Sequence, residues 1–138
     1  MESFAEYGHA IVALCVFALM TMLLSPASAA GKEKAGLAPG ALPDADYTDP
    51  LYRLCRAHLN ATETLPIFAT VAFAAMLAGA SPLWVNILAS LFLITRVLMM
   101  IVHIKGIGAP KRGPRTALYV MGWATLVLMA LLAILAVF

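Results

Sequence analysis

Charge is scarce in this 138-residue chain: nine Lys and Arg and seven Asp and Glu make 12% of the residues, against 63% hydrophobic ones. Ordinary soluble domains carry about 25% charged and about 45–50% apolar residues, so the composition argues against a water-soluble fold. Cysteine is sparse too. Cys15 and Cys55 stand in or beside separate apolar runs, with no CxxC or His/Cys ligand spacing. That argues against a disulfide scaffold or a metal site and makes both thiols small packing residues. A net charge of +2, with no basic segment interleaved with aromatics, gives no sign of a nucleic-acid partner.

What charge there is falls into clusters: Glu2 and Glu6, a group from Lys32 to Arg56, and a group from Lys105 to Arg115, with Glu63 and Arg96 alone between them. The charge-poor stretches have the length of about 20 residues that a helix needs to cross about 30 Å of hydrocarbon. Four such spans are predicted, at about 8–30, 50–78, 82–104 and 115–138. They consume the chain and make residues 1–138 a single all-α integral membrane domain, a bundle of four transmembrane helices.

The first run ends in Ala27-Ser28-Ala29, which looks like a signal-peptidase site, but its leading flank carries Glu2 and Glu6 and no Lys or Arg. A signal peptide has a basic leading flank, so a retained first helix is expected, bent near Pro26. Residues 31–49, rich in Gly, Pro and Asp, form the one long loop. Asp49-Pro50 supplies an N-cap and a first-turn proline, and Gly79-Ala80-Ser81-Pro82 ends one helix and caps the next. Small residues on the second helix, Ala74 with Ala78 and Ala75 with Gly79, suit close helix approach.

Eight of the nine Lys and Arg (Lys32, Lys34, Arg53, Arg56, Lys105, Lys111, Arg112 and Arg115) lie in or beside the first and third loops. Basic loops stay in the cytoplasm. Both termini are therefore expected outside and both charged loops cytoplasmic.

The polar residues within the spans are expensive, about 2.5–3.5 kcal/mol for Arg or Asp at a helix centre, and so face a cavity or a partner. On the second helix Arg53, Arg56, Asn60 and Glu63 form one stripe at about 100° per residue. Arg96 has His103 two turns on, and Arg115 has Tyr119 one turn on. Arg53 and Arg56 suit either headgroup snorkelling or ligand binding. Glu63 and Arg96, at similar depth, suit either an ion pair or a ligand. Such a cluster fits a zwitterion with several carboxylates, because Arg forks bind carboxylates bidentately. A thiol held there has its pKa lowered. Glutathione meets this description, as do other acidic metabolites.

The segment Arg56-Ala57-His58-Leu59-Asn60-Ala61-Thr62-Glu63-Thr64-Leu65-Pro66-Ile67-Phe68 resembles the RAHxNxxExxPxF signature of the MAPEG family, the membrane-associated proteins in eicosanoid and glutathione metabolism. Thr95-Arg96-Val97 and Arg115-Thr116-Ala117-Leu118-Tyr119 are similar to the family's third- and fourth-helix motifs. The resemblance covers about residues 50–123 and implies a homotrimer that binds glutathione between subunits. Carried over, it puts Arg56, Asn60 and Glu63 on glutathione, Arg96 along the site, Arg115 and Thr116 at the sulfur as catalytic residues, and Tyr119 against the ligand. Arg53 and His103 complete the glutathione-binding set. His103 stands where many members have a tyrosine, and Leu59 where several have a second arginine. Arg112 is an alternative to Arg115 as the cation at the sulfur.

The expected function is that of a glutathione-dependent transferase or peroxidase that attacks lipophilic electrophiles from the bilayer as a thiolate. Glutathione is then a co-substrate, and no metal is involved. A non-catalytic lipid- or glutathione-binding protein of the same fold and a small proton-coupled exporter are the rival expectations.

Overall fold

The computed structural model describes residues 2–108 and 112–138. Lys111, one of the loop cations named above, lies outside the described residues. A one-turn helix, α1 (Glu2–Ala5), precedes four long ones: α2 (Gly8–Lys34), α3 (Pro50–Leu77), α4 (Pro82–Lys105) and α5 (Pro114–Leu135). Each of the four is long and apolar enough to cross a membrane. They correspond to the four expected spans, the last ending at Leu135 rather than at 138.

The boundaries follow from local chemistry. Asp49 accepts the Leu51 N–H at 2.8 Å, and Pro50 occupies the first turn of α3, where its missing N–H costs nothing. The C-terminal ends of α2, α3 and α4 are closed by glycines with positive φ. Gly36, Gly79 and Gly106 each follow a helix, and in each case the next residue donates its N–H back five residues: Leu37 to Lys32, Ala80 to Ala75, Ile107 to Val102. This Schellman closure needs a left-handed residue, which glycine adopts without steric cost.

Two expectations are corrected here. The first span runs four residues past its expected end at 30, because Lys32, Glu33 and Lys34 favour helix and the stop signal is Gly36. Gly31 is tolerated inside it as a contact point, since a Cβ there would come within 2.7 Å of the Leu51 side chain on α3. Ser81, expected to cap α4, makes no side-chain cap bond, and its backbone carbonyl instead accepts the Val85 N–H at 3.1 Å.

Helices α2, α3 and α4 pack against one another, and α5 packs against α4 and α3. At the centre Phe17, Phe68 and Phe92 meet, one from each of the first three, with Phe17 edge-on to Phe92 at 5.3 Å and Phe68 tilted on it at 4.3 Å. Ala10, Ala13, Ala72, Ala75 and Ala89 are buried around them and let the backbones approach. Ala75 thus serves the inside of the protomer, while Ala74 is exposed. The outside is apolar, with Val12, Leu23, Leu77, Leu98 and Val120 exposed, as suits a surface facing lipid.

The two ends of the bundle are fastened differently. At one end the Tyr7 hydroxyl donates to the Ala80 carbonyl, while the Asn86 carboxamide accepts the Ala10 N–H at 2.9 Å and donates to the Glu6 carbonyl at 2.7 Å. Burial, with the Glu6 charge in second place, raises the Tyr7 phenol above its ordinary value. At the other end, where both charged loops lie, Arg53 donates to the carbonyls of Tyr47 (2.8 Å), Thr48 (2.9 Å) and Ile104 (3.3 Å). One side chain thereby ties the first loop and α3 to the end of α4.

Candidate functional site

A cleft of about 230 Å³ opens at the end that holds both charged loops. Three helices each give it a pair of residues four apart: Arg56 and Asn60 from α3, Met99 and His103 from α4, Arg115 and Tyr119 from α5. Residues at that spacing share a helix face, so three faces converge. Thr116 and the loop residue Tyr47 complete the lining. No Asp or Glu takes part among the described residues, so two guanidinium groups dominate the electrostatics of the cleft.

Arg115 is buried at the start of α5, with its Cζ 4.0 Å from the centroid of the Tyr47 ring. That ring also meets Tyr52 edge-on at 5.2 Å. The loop is shaped to present it: the Asp46 carboxylate accepts the Thr48 N–H at 2.8 Å and the Thr48 hydroxyl at 2.7 Å, and Arg53 holds the Tyr47 carbonyl. The Thr48 hydrogen bonds, with a smaller contribution from Arg53, hold the Asp46 carboxyl below its ordinary pKa. Tyr47 was not legible as a site residue. The available signal was an aromatic two residues ahead of the Asp49 cap and five ahead of Tyr52.

The other expected residues divide. Arg56, Asn60, His103, Arg115, Thr116 and Tyr119 come together in the cleft. The Nδ1 of His103 lies 3.2 Å from the Met99 carbonyl, which fixes its ring. Arg112 is exposed, in the left-handed region at φ 55°, and does not line the cleft.

Arg53, Arg96 and Glu63 are placed otherwise. Arg53 belongs to a smaller adjoining hollow, with its donors turned to backbone carbonyls. Arg96 is buried behind the cleft wall, bonded to the Asn60 carboxamide oxygen at 3.3 Å and the Tyr119 carbonyl at 3.2 Å. Glu63 is exposed on the outer face of α3, and among the described residues no ion pair joins it to Arg96. The reason is angular: three residues advance a helix by about 300°, about 60° short of a full turn, so Glu63 lies to one side of Asn60 and past the edge that the neighbouring helices cover.

A single protomer therefore offers an open, cationic cleft smaller than the roughly 300–1,000 Å³ usual for small-molecule sites. Two larger grooves, about 310 and 360 Å³, run along the outer surface of α4 and share His9 and Ser90. They are mostly apolar, and among the described residues no Arg or Lys lines them. No curated protein sequence matches the chain. The family model described as the MAPEG family matches residues 9–135. That span takes in all of the cleft and almost all of the four long helices, and the chain belongs to the MAPEG family.

Proposed function

We propose that this protein is a glutathione-dependent membrane transferase or peroxidase acting on lipophilic electrophiles by thiolate attack. The observation that carries the reading is the cleft, lined by no carboxylate among the described residues, in which Arg56 and Arg115 face Asn60, His103, Thr116 and Tyr119. Family membership supports it, because the MAPEG family includes glutathione transferases and peroxidases. Arg56 and Asn60 bind the ligand's carboxylate and amide groups. Arg115, with Thr116 beside it, stabilises the sulfur anion after the thiol proton has passed to solvent. The sulfur lone pair then forms a bond to an electrophilic carbon as its leaving group departs, or attacks the terminal oxygen of a hydroperoxide, breaking the O–O bond so that the alcohol leaves and the resulting sulfenic acid condenses with a second glutathione to give the disulfide and water.

The working unit in this reading is a homotrimer. Glu63 lies exposed on an apolar exterior where an ionised carboxylate is costly, and the cleft is open and small. A neighbouring subunit both covers Glu63 and closes the site, and Glu63 then meets the ligand from across the interface. The basic loops face the cytoplasm with both termini outside, which puts the cleft where a water-soluble thiol and a membrane-dissolved substrate meet.

The test is the ultraviolet absorbance of a thiolate on adding glutathione to the purified protein in detergent. The expected result is an absorbance rise that decays when a chlorinated nitrobenzene or a lipid hydroperoxide is added. No absorbance change together with no binding by equilibrium dialysis overturns the proposal. A thiolate that persists with every electrophile replaces the enzyme by a binding protein.

A further inference from the structure

Arg96 is 2% exposed, and among the described residues no carboxylate is a hydrogen-bond partner of it. Its guanidinium passes between α4 and α5 over the bare Cα of Gly122, where any Cβ would overlap it. One terminal nitrogen donates to the Tyr119 carbonyl at 3.2 Å, the other to the Asn60 Oδ1 at 3.3 Å, and the Cζ lies 5.1 Å from the centroid of the Phe92 ring. The group is held on several sides by α3, α4 and α5.

A guanidinium has donors and no acceptor. Asn60 can therefore face it only with the carboxamide oxygen, since the opposite orientation sets two donors against each other. The amide nitrogen of Asn60 has no protein partner among the described residues. It is also not one of the buried unpartnered atoms, which are Arg96 Nε and Trp123 Nε1. It is thus accessible, on a residue that lines the cleft.

We infer that Arg96 is a positioning residue: seated on Gly122, it locks Asn60 with its oxygen inward and its amide nitrogen toward the cleft. This point of the site then always presents a hydrogen-bond donor, to an acceptor of the ligand such as a carboxylate or peptide carbonyl. The inference rests on the glutathione reading for the identity of the ligand. Arg96 itself touches no ligand. Its effect on binding passes through Asn60, which accounts for a buried cation behind the cleft rather than in it.

The decisive variant is Asn60→Asp, which keeps an oxygen for Arg96, gives the buried cation a counter-charge and removes the donor. Thermal stability in detergent is expected to hold or rise while glutathione binding weakens by about tenfold or more, as expected on losing a hydrogen bond to a charged group. Asn60→Leu, which strands Arg96, is expected to lower both. Wild-type glutathione affinity in a stable Asn60→Asp variant overturns the inference, and so does a loss of stability in that variant equal to that of Asn60→Leu. Failure of the wild type to bind glutathione sinks the glutathione reading instead. The inference is then decided by nuclear magnetic resonance of the Asn60 side-chain amide protons, which are expected to exchange with water. Protection of those protons overturns it.

Discussion

Arg115 and Tyr47, 68 positions apart in the sequence, meet with the guanidinium carbon of one 4.0 Å from the ring centroid of the other. The contact joins the first turn of α5 to the first loop, across the mouth of the cleft. A cation held over an aromatic face gains about 0.5–1 kcal/mol when exposed and about 2 kcal/mol or more when desolvated. Arg115 is buried and therefore belongs toward the upper end.

Tyr47→Ala is expected to weaken glutathione-dependent thiolate formation severalfold, because Arg115 loses the surface that orients it. Tyr47→Phe keeps the ring and should match the wild type. Titrating the thiolate absorbance in both variants checks this. Equal losses in the two would assign the effect to the phenol hydroxyl instead.

Arg115→Leu should abolish the thiolate signal while much of the glutathione binding survives through Arg56. Arg112→Leu should leave both intact, since Arg112 is exposed and outside the cleft lining. Rates toward a chlorinated nitrobenzene at saturating glutathione distinguish the two. An inactive Arg112→Leu enzyme beside an unaltered Arg115→Leu one would reverse the assignment.

Gly122→Ala should destabilise the protein by about 1–3 kcal/mol, the usual cost of overfilling a packed site. The added methyl collides with the Arg96 guanidinium, while a Cβ at Gly8 meets nothing within 4 Å. Gly8→Ala is therefore the control, and thermal unfolding of both in detergent is the measurement. Equal melting temperatures would contradict the close seating of Arg96.

The Thr48 amide proton reports the Asp46 carboxylate that it bonds at 2.8 Å. Hydrogen bonds to Thr48 lower the Asp46 pKa in the folded chain. Its contribution to loop order is then present above the ordinary aspartate value of about 3.9 and is lost as pH falls through the lower folded value. The Thr48 chemical shift should titrate with a midpoint below that ordinary value. A midpoint at or above it refutes the local geometry.

Mass measurement in mild detergent should give three copies per particle. Glu63, exposed on the outer face of α3, calls for a neighbouring subunit to cover it. Monomers alone would leave that carboxylate without the neighbour on which the proposed site depends.

Much of this fold was legible because its signals are local. Charge-poor length, Asp49-Pro50 and Gly79 each act within a few residues, and each stands where it was expected. The first helix ran on to Lys34 because Gly36, rather than Gly31, carries the stop conformation. The site was legible only as far as helical periodicity reaches. The period relates Asn60 to Arg56 and Glu63 but does not say which of them a neighbouring helix covers. It therefore does not tell that Arg53 and Glu63 stand outside the lining of this protomer's cleft, or that Arg96 lies buried behind its wall. Tyr47 lies in a loop without a period, and its partner Arg115 is on the last helix.

The seat of Arg96 also constrains how the chain enters the membrane. A lone arginine near the middle of a span costs about 2.5–3.5 kcal/mol to insert. The ribosome makes Asn60 before Arg96, so α3 can offer its oxygen as soon as α4 arrives. The Tyr119 carbonyl and the flat Gly122 surface are synthesised only afterwards, on α5. Until that last helix arrives, one side of the guanidinium has neither protein partner nor cover. The final span therefore completes the burial of the preceding one, and a chain truncated before it carries an unshielded cation into the lipid.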